Sequence, residues 1–84
     1  MEYVYILINS EPIRLWDVAE KALKIKGVLR ADAVTGDYDV IVLAELEDMS
    51  QLSKLIREVQ SIQGVLRTHT CIVVPRFETY RGIL

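Results

Sequence analysis

The stretch Thr35-Gly36-Asp37-Tyr38-Asp39 is a short polar segment between two apolar runs, residues 28–34 and 40–44. A Gly-Asp step between strand-like runs predicts a hairpin turn, because glycine adopts positive φ without steric cost. The turn lies near the middle of the chain, and the sequences on its two sides follow one plan.

A repeated segment marks that plan. Gly27-Val28-Leu29-Arg30 recurs as Gly64-Val65-Leu66-Arg67, and each copy follows an amphipathic pattern and opens a strand-like run. Residues 3–8 and 38–43 correspond as the first strands of the two halves. Equivalent placement in two βαβ units indicates an internal duplication with the order βαββαβ.

Local signals predict where the strands and the second helix lie. We expect strands at residues 3–8, 28–34, 38–45 and 65–74, the last stopped by Pro75. The first of these is apolar at every position, which is typical of a strand buried on both faces. Asp48 and Gln51 form a pattern like a capping box at the start of the second helix, and Gly64 ends that helix.

The first helix is expected over residues 13–26. Ser10 or Asn9 is expected to cap it, and Pro12 suits its first turn, where a missing N–H costs nothing. Apolar residues in steps of three and four form one wide stripe, which places Trp16 in the core.

These elements predict an α+β ferredoxin-like fold, a four-stranded antiparallel sheet with both helices on one face. The other face of the sheet then needs a cover. A hydrophobic fraction of 51% in 84 residues is generous for so small a domain. We therefore expect dimerisation through the sheets, which would form a dimeric α+β barrel with Tyr3, Tyr5 and Tyr38 in the interface.

Composition limits the classes of function. The net charge of −2 argues against direct DNA or RNA binding. Cys71 is the only cysteine, so no internal disulfide is possible, as in a reducing compartment. No apolar run reaches the roughly 18 residues of a membrane span. The strand-like start follows Met1 at once, without the basic segment of a secretory leader, so we expect a cytoplasmic protein with no membrane partner.

The whole pattern resembles the effector-binding domain of the Lrp/AsnC feast/famine transcription regulators, often called the RAM domain. The residues that carry the resemblance are Gly36-Asp37-Tyr38-Asp39, Gly64-Val65 and Thr68-His69-Thr70, and it covers roughly residues 3–75. It implies dimers formed through the sheets, assembly of dimers into octamers, and small effectors, usually amino acids, held between dimers. The effector-binding residues that it implies are Gly36, Asp37, Tyr38, Asp39, Thr68 and Thr70.

One departure from the family concerns DNA. Full-length members begin with a helix-turn-helix domain, whereas the first strand here begins at residue 3. We therefore expect a stand-alone form of the domain. Residues 1–75 are expected to form it, and residues 76–84 are expected to be a tail that packs on the body or on a neighbour through its apolar residues Phe77, Tyr80, Ile83 and Leu84.

The chemistry of an amino-acid site suits the turn. Such a ligand needs N–H donors for its carboxylate, which a glycine-containing turn exposes, and a carboxylate for its ammonium, which Asp37 or Asp39 would supply. Strand geometry from Asp37 onward would point both carboxylates to one face. The alternative is that Gly36 serves turn geometry and the aspartates only solvate a hairpin. For Thr68 and Thr70, the alternative is ordinary strand-favouring threonines.

No catalytic, metal or cofactor site is predicted. His69 and Cys71 do not form a ligand cluster, and no nucleophile accompanies a base. The leading hypothesis is an amino-acid-sensing and oligomerisation module. The alternatives are a ligand-free assembly module that pairs with a full-length Lrp/AsnC-type regulator and, third, a small dimeric ferredoxin-like enzyme.

Overall fold

The computed structural model describes residues 1–75 of the chain, so the expectation for the tail at 76–84 lies outside the described residues. The elements follow the predicted order. They are β1 (Glu2–Ser10), a 3₁₀ turn (Pro12–Arg14), α1 (Leu15–Leu23), β2 (Val28–Ala33), β3 (Val40–Leu46), a second 3₁₀ turn (Met49–Gln51), α2 (Leu52–Gln60) and β4 (Val65–Ile72).

The four strands form one sheet in the order β2-β3-β1-β4, and every neighbouring pair is antiparallel. β1 pairs with β3 from Glu2 opposite Leu46 to Ile8 opposite Val40. On its other edge β1 pairs with β4, with a register shift between Asn9 and Ser10. This topology confirms the predicted ferredoxin-like βαββαβ fold.

The core lies between the two helices and one face of the sheet. Side chains alternate along β1 and β3, and Val4, Ile6, Ile8, Val40 and Val42 are fully buried. Their helix partners are Val18, Ala19 and Ala22 of α1 with Leu55 and Val59 of α2. Burying one Val or Ile side chain contributes about 1.5–3 kcal/mol, so this single layer accounts for most of the stabilisation.

Neither helix of residues 1–75 lies on the opposite face of the sheet, and we call it the open face. It consists of alternate residues of the four strands that oppose one another in the ladders: Tyr3, Tyr5, Leu7 and Asn9 of β1, Arg30 and Asp32 of β2, Ile41, Leu43 and Glu45 of β3, and Arg67, His69 and Cys71 of β4. Tyr3 and Tyr5 are exposed in the single chain. The expectation that β1 is buried on both faces is therefore wrong for one chain taken alone.

The start of the first helix differs from the prediction in its cap. Glu11 occupies the capping position and makes no side-chain bond there, whereas Pro12 lies in the first turn as expected. Asn9 does not cap the helix, because its side-chain amide bonds to the Asp37 carbonyl of the turn before β3. Ser10 bonds to that turn through its backbone N–H, and its buried hydroxyl has no hydrogen-bond partner among residues 1–75. Periodicity predicted one helix over residues 13–26, whereas the structure has a 3₁₀ turn at Pro12–Arg14 and α1 at Leu15–Leu23. The register of β1 decides what the last two residues of that strand contact.

Trp16 is the main correction to the predicted core. Its side chain is 68% exposed, on the side of α1 away from the sheet. The apolar residues of this helix spread over a wide arc of its circumference, and the sheet covers only the narrower set around Val18 and Ala22. The width of the apolar stripe in the sequence therefore predicts more buried residues than the sheet covers.

The second helix begins as the capping pattern predicts. The Asp48 carboxylate accepts the Ser50 backbone N–H at 2.8 Å, and the Gln51 side-chain oxygen accepts the Glu47 N–H at 2.9 Å. Hydrogen bonds from the Ser50 hydroxyl and N–H hold the pKa of Asp48 below its ordinary value. The reciprocal bond reaches one residue before the cap, which is a small departure from the usual capping box.

Candidate functional site

The predicted turn links β2 to β3 at one end of the sheet. Gly36 has a φ of +109°, a conformation that other residues rarely adopt, and a Cβ placed there would meet nothing within 4 Å. The glycine is therefore required by the backbone conformation and not by crowding. Thr35, Gly36 and Asp37 are exposed, so this part of the turn is open to solvent.

Three contacts brace the turn against β1. The Asn9 side-chain amide donates to the Asp37 carbonyl at 2.9 Å. The Ser10 backbone N–H donates to Asp39 Oδ2 at 2.9 Å, and the Asp39 N–H donates to the Ile8 carbonyl at 2.8 Å. The end of β1 therefore holds the turn from both its main chain and its side chains.

A fourth contact carries the turn across the open face. The Tyr38 hydroxyl lies 2.8 Å from His69 Nδ1, and the two rings are 5.6 Å apart, centroid to centroid, with planes tilted by 59°. His69 belongs to β4, so Tyr38 reaches over the end of β1 to the far edge strand. The predicted strand start at residue 38 is too early, because β3 begins at Val40.

The two aspartates have different surroundings. One oxygen of Asp39 is occupied by the Ser10 N–H, which makes Asp39 part of the brace. Within residues 1–75, the Asp37 carboxylate has neither a hydrogen-bond partner nor a salt bridge. Asp37 is therefore the carboxylate that is available for a ligand.

Thr68 and Thr70 lie on the other side of the sheet from Tyr38 and His69. In the ladder they oppose Ile8 and Ile6, whose side chains point toward the helices. Thr68 Oγ1 accepts a hydrogen bond from the Gln60 side chain of α2 at 3.2 Å. Within one chain, the fold does not bring these threonines together with the turn.

Residues that sequence reasoning did not assign to the site are Asn9, Ser10 and His69. A basic group lies beside them, because Arg67 Nε donates to Asn9 Oδ1 at 3.2 Å. Asn9 therefore links the Arg67 guanidinium to the Asp37 main chain. The Asn9-Ser10 pair at the end of a strand resembles a helix cap, and its real contacts are 28 and 29 residues away along the chain.

Two further groups lie away from the turn. The Tyr3 hydroxyl donates to Glu45 at 3.0 Å, and this bond to a carboxylate raises the pKa of Tyr3. At the opposite end of β3 from the turn, a cavity of about 420 Å³ is lined by both acidic and basic side chains, including Lys26, Glu47 and Lys54. The cavity shares no residue with the turn.

Among residues 1–75, no group of three or more His, Cys, Asp or Glu side chains is arranged to hold a metal ion. No helix in that range is long and apolar enough to cross a bilayer.

Sequence comparison relates the chain to regulators. The HTH-type transcriptional regulator LysM of Sulfurisphaera tokodaii is 33% identical over 70 residues, which cover 82% of this chain and 50% of that regulator. The chain thus spans about half the length of the curated regulators it matches. Homocitrate synthase of Sulfolobus acidocaldarius is 29% identical over 59 residues, which are 70% of this chain and 13% of that enzyme.

Solved structures share the fold. The crystal structure of TTHA0845 from Thermus thermophilus matches with a TM-score of 0.87 and 26% identity, over 94% of this chain and all of that one. A feast or famine regulatory protein from M. tuberculosis, complexed with L-methionine, matches with a TM-score of 0.77 and 20% identity, over 96% of this chain and 55% of that one. At that lower identity, the likeness concerns the fold alone.

A family model completes the comparison. The model of the Lrp/AsnC ligand binding domain matches residues 3–83, which include the turn, the open face and both helices. Topology, regulator relatives and this match agree, and the chain belongs to the Lrp/AsnC ligand binding domain family.

Proposed function

We propose that this chain is an amino-acid-sensing and oligomerisation module in which sheet-to-sheet dimers associate and a small effector binds between dimers at the turn. The observation that carries the proposal is the contrast within the turn. Asp39 and Tyr38 are tied to β1 and β4, whereas Gly36 and Asp37 are exposed and the Asp37 carboxylate has no partner among the described residues. A rigid frame around free polar groups is what a ligand site needs.

The proposed roles follow from the chemistry of an α-amino acid. Asp37 takes the ammonium group, and backbone N–H groups beside Gly36 take the carboxylate. Arg67, held near the turn through Asn9, provides a cationic partner for that carboxylate. Tyr38 and Asp39 hold the turn in shape. Thr68 and Thr70 remain candidates only for contacts made from another subunit.

Relatives support the class of ligand. L-methionine is the ligand in the complex of the feast or famine regulatory protein whose fold matches this chain. A free amino acid fits an open polar turn because its two charged groups lie close together and need partners of opposite sign. A binding screen across the common amino acids would identify the side chain that is recognised.

The open face is proposed as the dimer interface, with a second copy of the chain as its cover. Its centre is apolar, formed by Tyr5, Leu7, Ile41 and Leu43, while Glu45 and Arg67 lie at its ends. Two such sheets would pack face to face about 10 Å apart. Tyr38 and His69 lie at the margin of this face, so the effector turn and the interface adjoin.

A second candidate function is a ligand-free assembly module that pairs with a full-length regulator of the same family. The observation that favours it is the open face, whose apolar centre needs a cover whether or not an effector binds. Such a partner would present the same apolar sheet face. We propose no enzymatic activity, although a stretch of homocitrate synthase is similar to this chain.

A thermal-shift screen against the common amino acids, paired with measurement of the oligomer mass, tests the proposal. An effector at 100 times its Kd stabilises the folded state by about 2.7 kcal/mol per site. Stabilisation by one or a few amino acids, lost in Asp37→Asn, is the expected result. No response to any of them would favour the assembly module, and turnover of a metabolite that Asp39→Asn abolishes would favour an enzyme.

A further inference from the structure

Three exposed apolar residues lie on α1 and on the 3₁₀ turn before it, outside the part of the helix that the sheet covers, and we call them the outer stripe: Ile13, Trp16 and Leu23. They are 91%, 68% and 50% exposed. Steps of three and seven residues place them along one side of the helix and of the turn that precedes it. The outer stripe is on the opposite side of the molecule from the open face, so a sheet dimer leaves it uncovered.

The internal duplication supplies a control for this stripe. When Gly27 is aligned with Gly64, the inward residues of the two helices match in kind: Leu15 with Leu52, Val18 with Leu55, Ala22 with Val59, and Ile25 with Ile62. The outer residues do not match. The positions equivalent to Ile13, Trp16 and Leu23 are Ser50, Ser53 and Gln60.

The comparison shows that the fold does not require apolar residues at these positions. α2 fills the same three places with polar residues and packs on the same sheet. Burial in the core accounts for the apolar residues on the inward faces of both helices. The exposed Trp and Ile side chains occur on one helix and place apolar surface in water. A difference confined to one of two duplicated helices indicates a contact that α1 makes and α2 does not.

The charges around the outer stripe indicate what covers it. Glu11 and Asp17 lie before and within the first turn of α1, and Lys21, Lys24 and Lys26 lie in its last turn or beyond its end. The one basic residue near the start, Arg14, lies 3.6 Å from the Glu11 carboxylate and 3.9 Å from that of Asp17. The stripe thus has an acidic end and a basic end, which makes it complementary to an antiparallel copy of itself.

We propose that the outer stripe docks against the outer stripe of a second copy of this chain, with the two α1 helices antiparallel about a two-fold axis. The acidic end of each helix then faces the basic end of the other. Assemblies larger than a dimer require the sheet dimer of the proposed function. The helix contact itself does not depend on effector binding. A chain with two different two-fold contacts builds assemblies larger than a dimer.

The small size of the contact sets its strength. A single pair of short helices buries less than the roughly 1,200 Å² of a stable interface. The sheet dimer presents two outer stripes at once, and linked contacts raise the effective concentration of the second. The helix contact therefore holds dimers together in the assembly and is weak between isolated chains.

The test transfers the residues of α2 onto α1. The triple variant Ile13→Ser, Trp16→Ser and Leu23→Gln is compared with the parent chain by sedimentation velocity over a range of concentrations. We expect the parent to exceed the mass of a dimer and the variant to stop at twice the 9.6 kDa chain mass, with an unchanged melting temperature for the dimer. The control is Leu66→Gln, which removes a leucine that is 63% exposed elsewhere on the molecule and should leave the assembly intact.

A charge exchange tests the antiparallel arrangement. Lys24→Glu alone places like charges together at each end of the contact and should weaken the assembly about tenfold or more at low salt. Adding Asp17→Lys in the same chain restores opposite charges across the two-fold axis and should recover most of the loss. Recovery supports the antiparallel contact, and failure to recover overturns it.

Other covers of the outer stripe give different results. If residues 76–84 cover it, the triple variant lowers the melting temperature and leaves the mass unchanged, and the proposal is overturned. If another protein covers it, mass and melting temperature both stay the same, which also overturns the proposal. A parent chain whose mass never exceeds that of a dimer also overturns the proposal. Loss of the sheet dimer is distinguished by a parent chain that is already monomeric.

Discussion

The Tyr38 hydroxyl and His69 Nδ1 are 2.8 Å apart, although 31 residues separate them in the chain. Tyr38 belongs to the turn between β2 and β3, and His69 belongs to β4 at the far edge of the sheet. The bond therefore joins the proposed effector site to the open face. A ligand that shifts the turn would move a side chain at the margin of the proposed dimer interface, which is a direct route from binding to assembly.

Tyr38→Phe tests that route. The variant keeps the ring and removes the hydroxyl that bonds to His69. Because both groups are exposed, we expect the free energy of unfolding to fall by about 0.5–1.5 kcal/mol at most, the net value of one hydrogen bond. We expect the dependence of oligomer mass on effector to weaken severalfold. Tyr5→Phe is the matched control, since its hydroxyl has no partner within residues 1–75.

Asp39 and Asp37 should separate stability from binding. Asp39→Ala leaves the partly buried Ser10 N–H without its acceptor, and we expect a loss of about 1–3 kcal/mol in the free energy of unfolding. Asp37→Asn changes a carboxylate without partners among residues 1–75, so stability should change by less than about 0.5 kcal/mol. Effector affinity measured by titration calorimetry should nevertheless fall at least tenfold. Equal affinities for Asp37→Asn and the parent would remove Asp37 from the site.

Gly36→Val tests whether the turn is a binding surface. A valine at a φ of +109° is strained, which costs roughly 1–2 kcal/mol, but its side chain meets no other group among the described residues. The fold should therefore survive, as judged by chemical denaturation. The branched side chain would stand beside the N–H groups proposed to receive the carboxylate, so affinity should fall by more than the loss of stability explains. A variant with normal affinity would show that the effector does not contact Gly36.

The fold was predictable because its signals are local and repeated. The segment beginning at Gly27 and its copy at Gly64 both follow helices and open strands, and both glycines have positive φ. Each of these features depends on a few neighbouring residues. Strand alternation and the Asp48 cap were readable for the same reason.

The site was only partly predictable, because its contacts depend on register. The position of the turn follows from Gly36 and its flanking strands. The partners Asn9, Ser10 and His69 are 28 to 31 residues from the turn, and only the pairing of β1 with β3 and β4 brings them there. A strand read one residue out of register would point each of these side chains to the other face.

Trp16 shows a second reason why sequence falls short. Periodicity indicates that a residue lies on an apolar stripe, but not how much of the stripe the sheet covers. In α1 the close packing of Ala19 and Ala22 brings the helix onto the sheet, and Trp16 lies beyond the covered part. The comparison with Ser53 of α2 makes its exposure informative.

The Asp48 cap should give stability a dependence on pH. The folded-state pKa of Asp48 lies below its ordinary value, so its contribution is complete above the unfolded-state pKa near 3.8 and is lost as pH falls through the folded value. We expect Asp48→Ala to lower the melting temperature at pH 7, with the difference from the parent shrinking below about pH 4. Asp48→Asn keeps a good capping side chain without the charge, so its melting temperature should respond less to pH over that range. An Asp48→Ala difference that persists undiminished at low pH would contradict the assignment.

The open face yields the last prediction, which isolates the sheet dimer from the helix contact. Leu43→Glu places a carboxylate at the apolar centre of the face, opposite Tyr5. In a single chain that position is partly exposed, so the monomer should still fold, whereas in the dimer two carboxylates would be buried without partners at a cost of several kcal/mol.

The experiment is made in a chain that already carries Trp16→Ser, so that pairing of α1 helices does not conceal dissociation. We expect the mass to fall from a dimer to the 9.6 kDa of one chain at micromolar concentration. Leu29→Glu is the control, because Leu29 is an exposed leucine at the bulge of edge strand β2 and not at the centre of the face. If Leu43→Glu stays dimeric while Leu29→Glu dissociates, the contact runs along the sheet edge, and the turn and Tyr38 would then face a different neighbour.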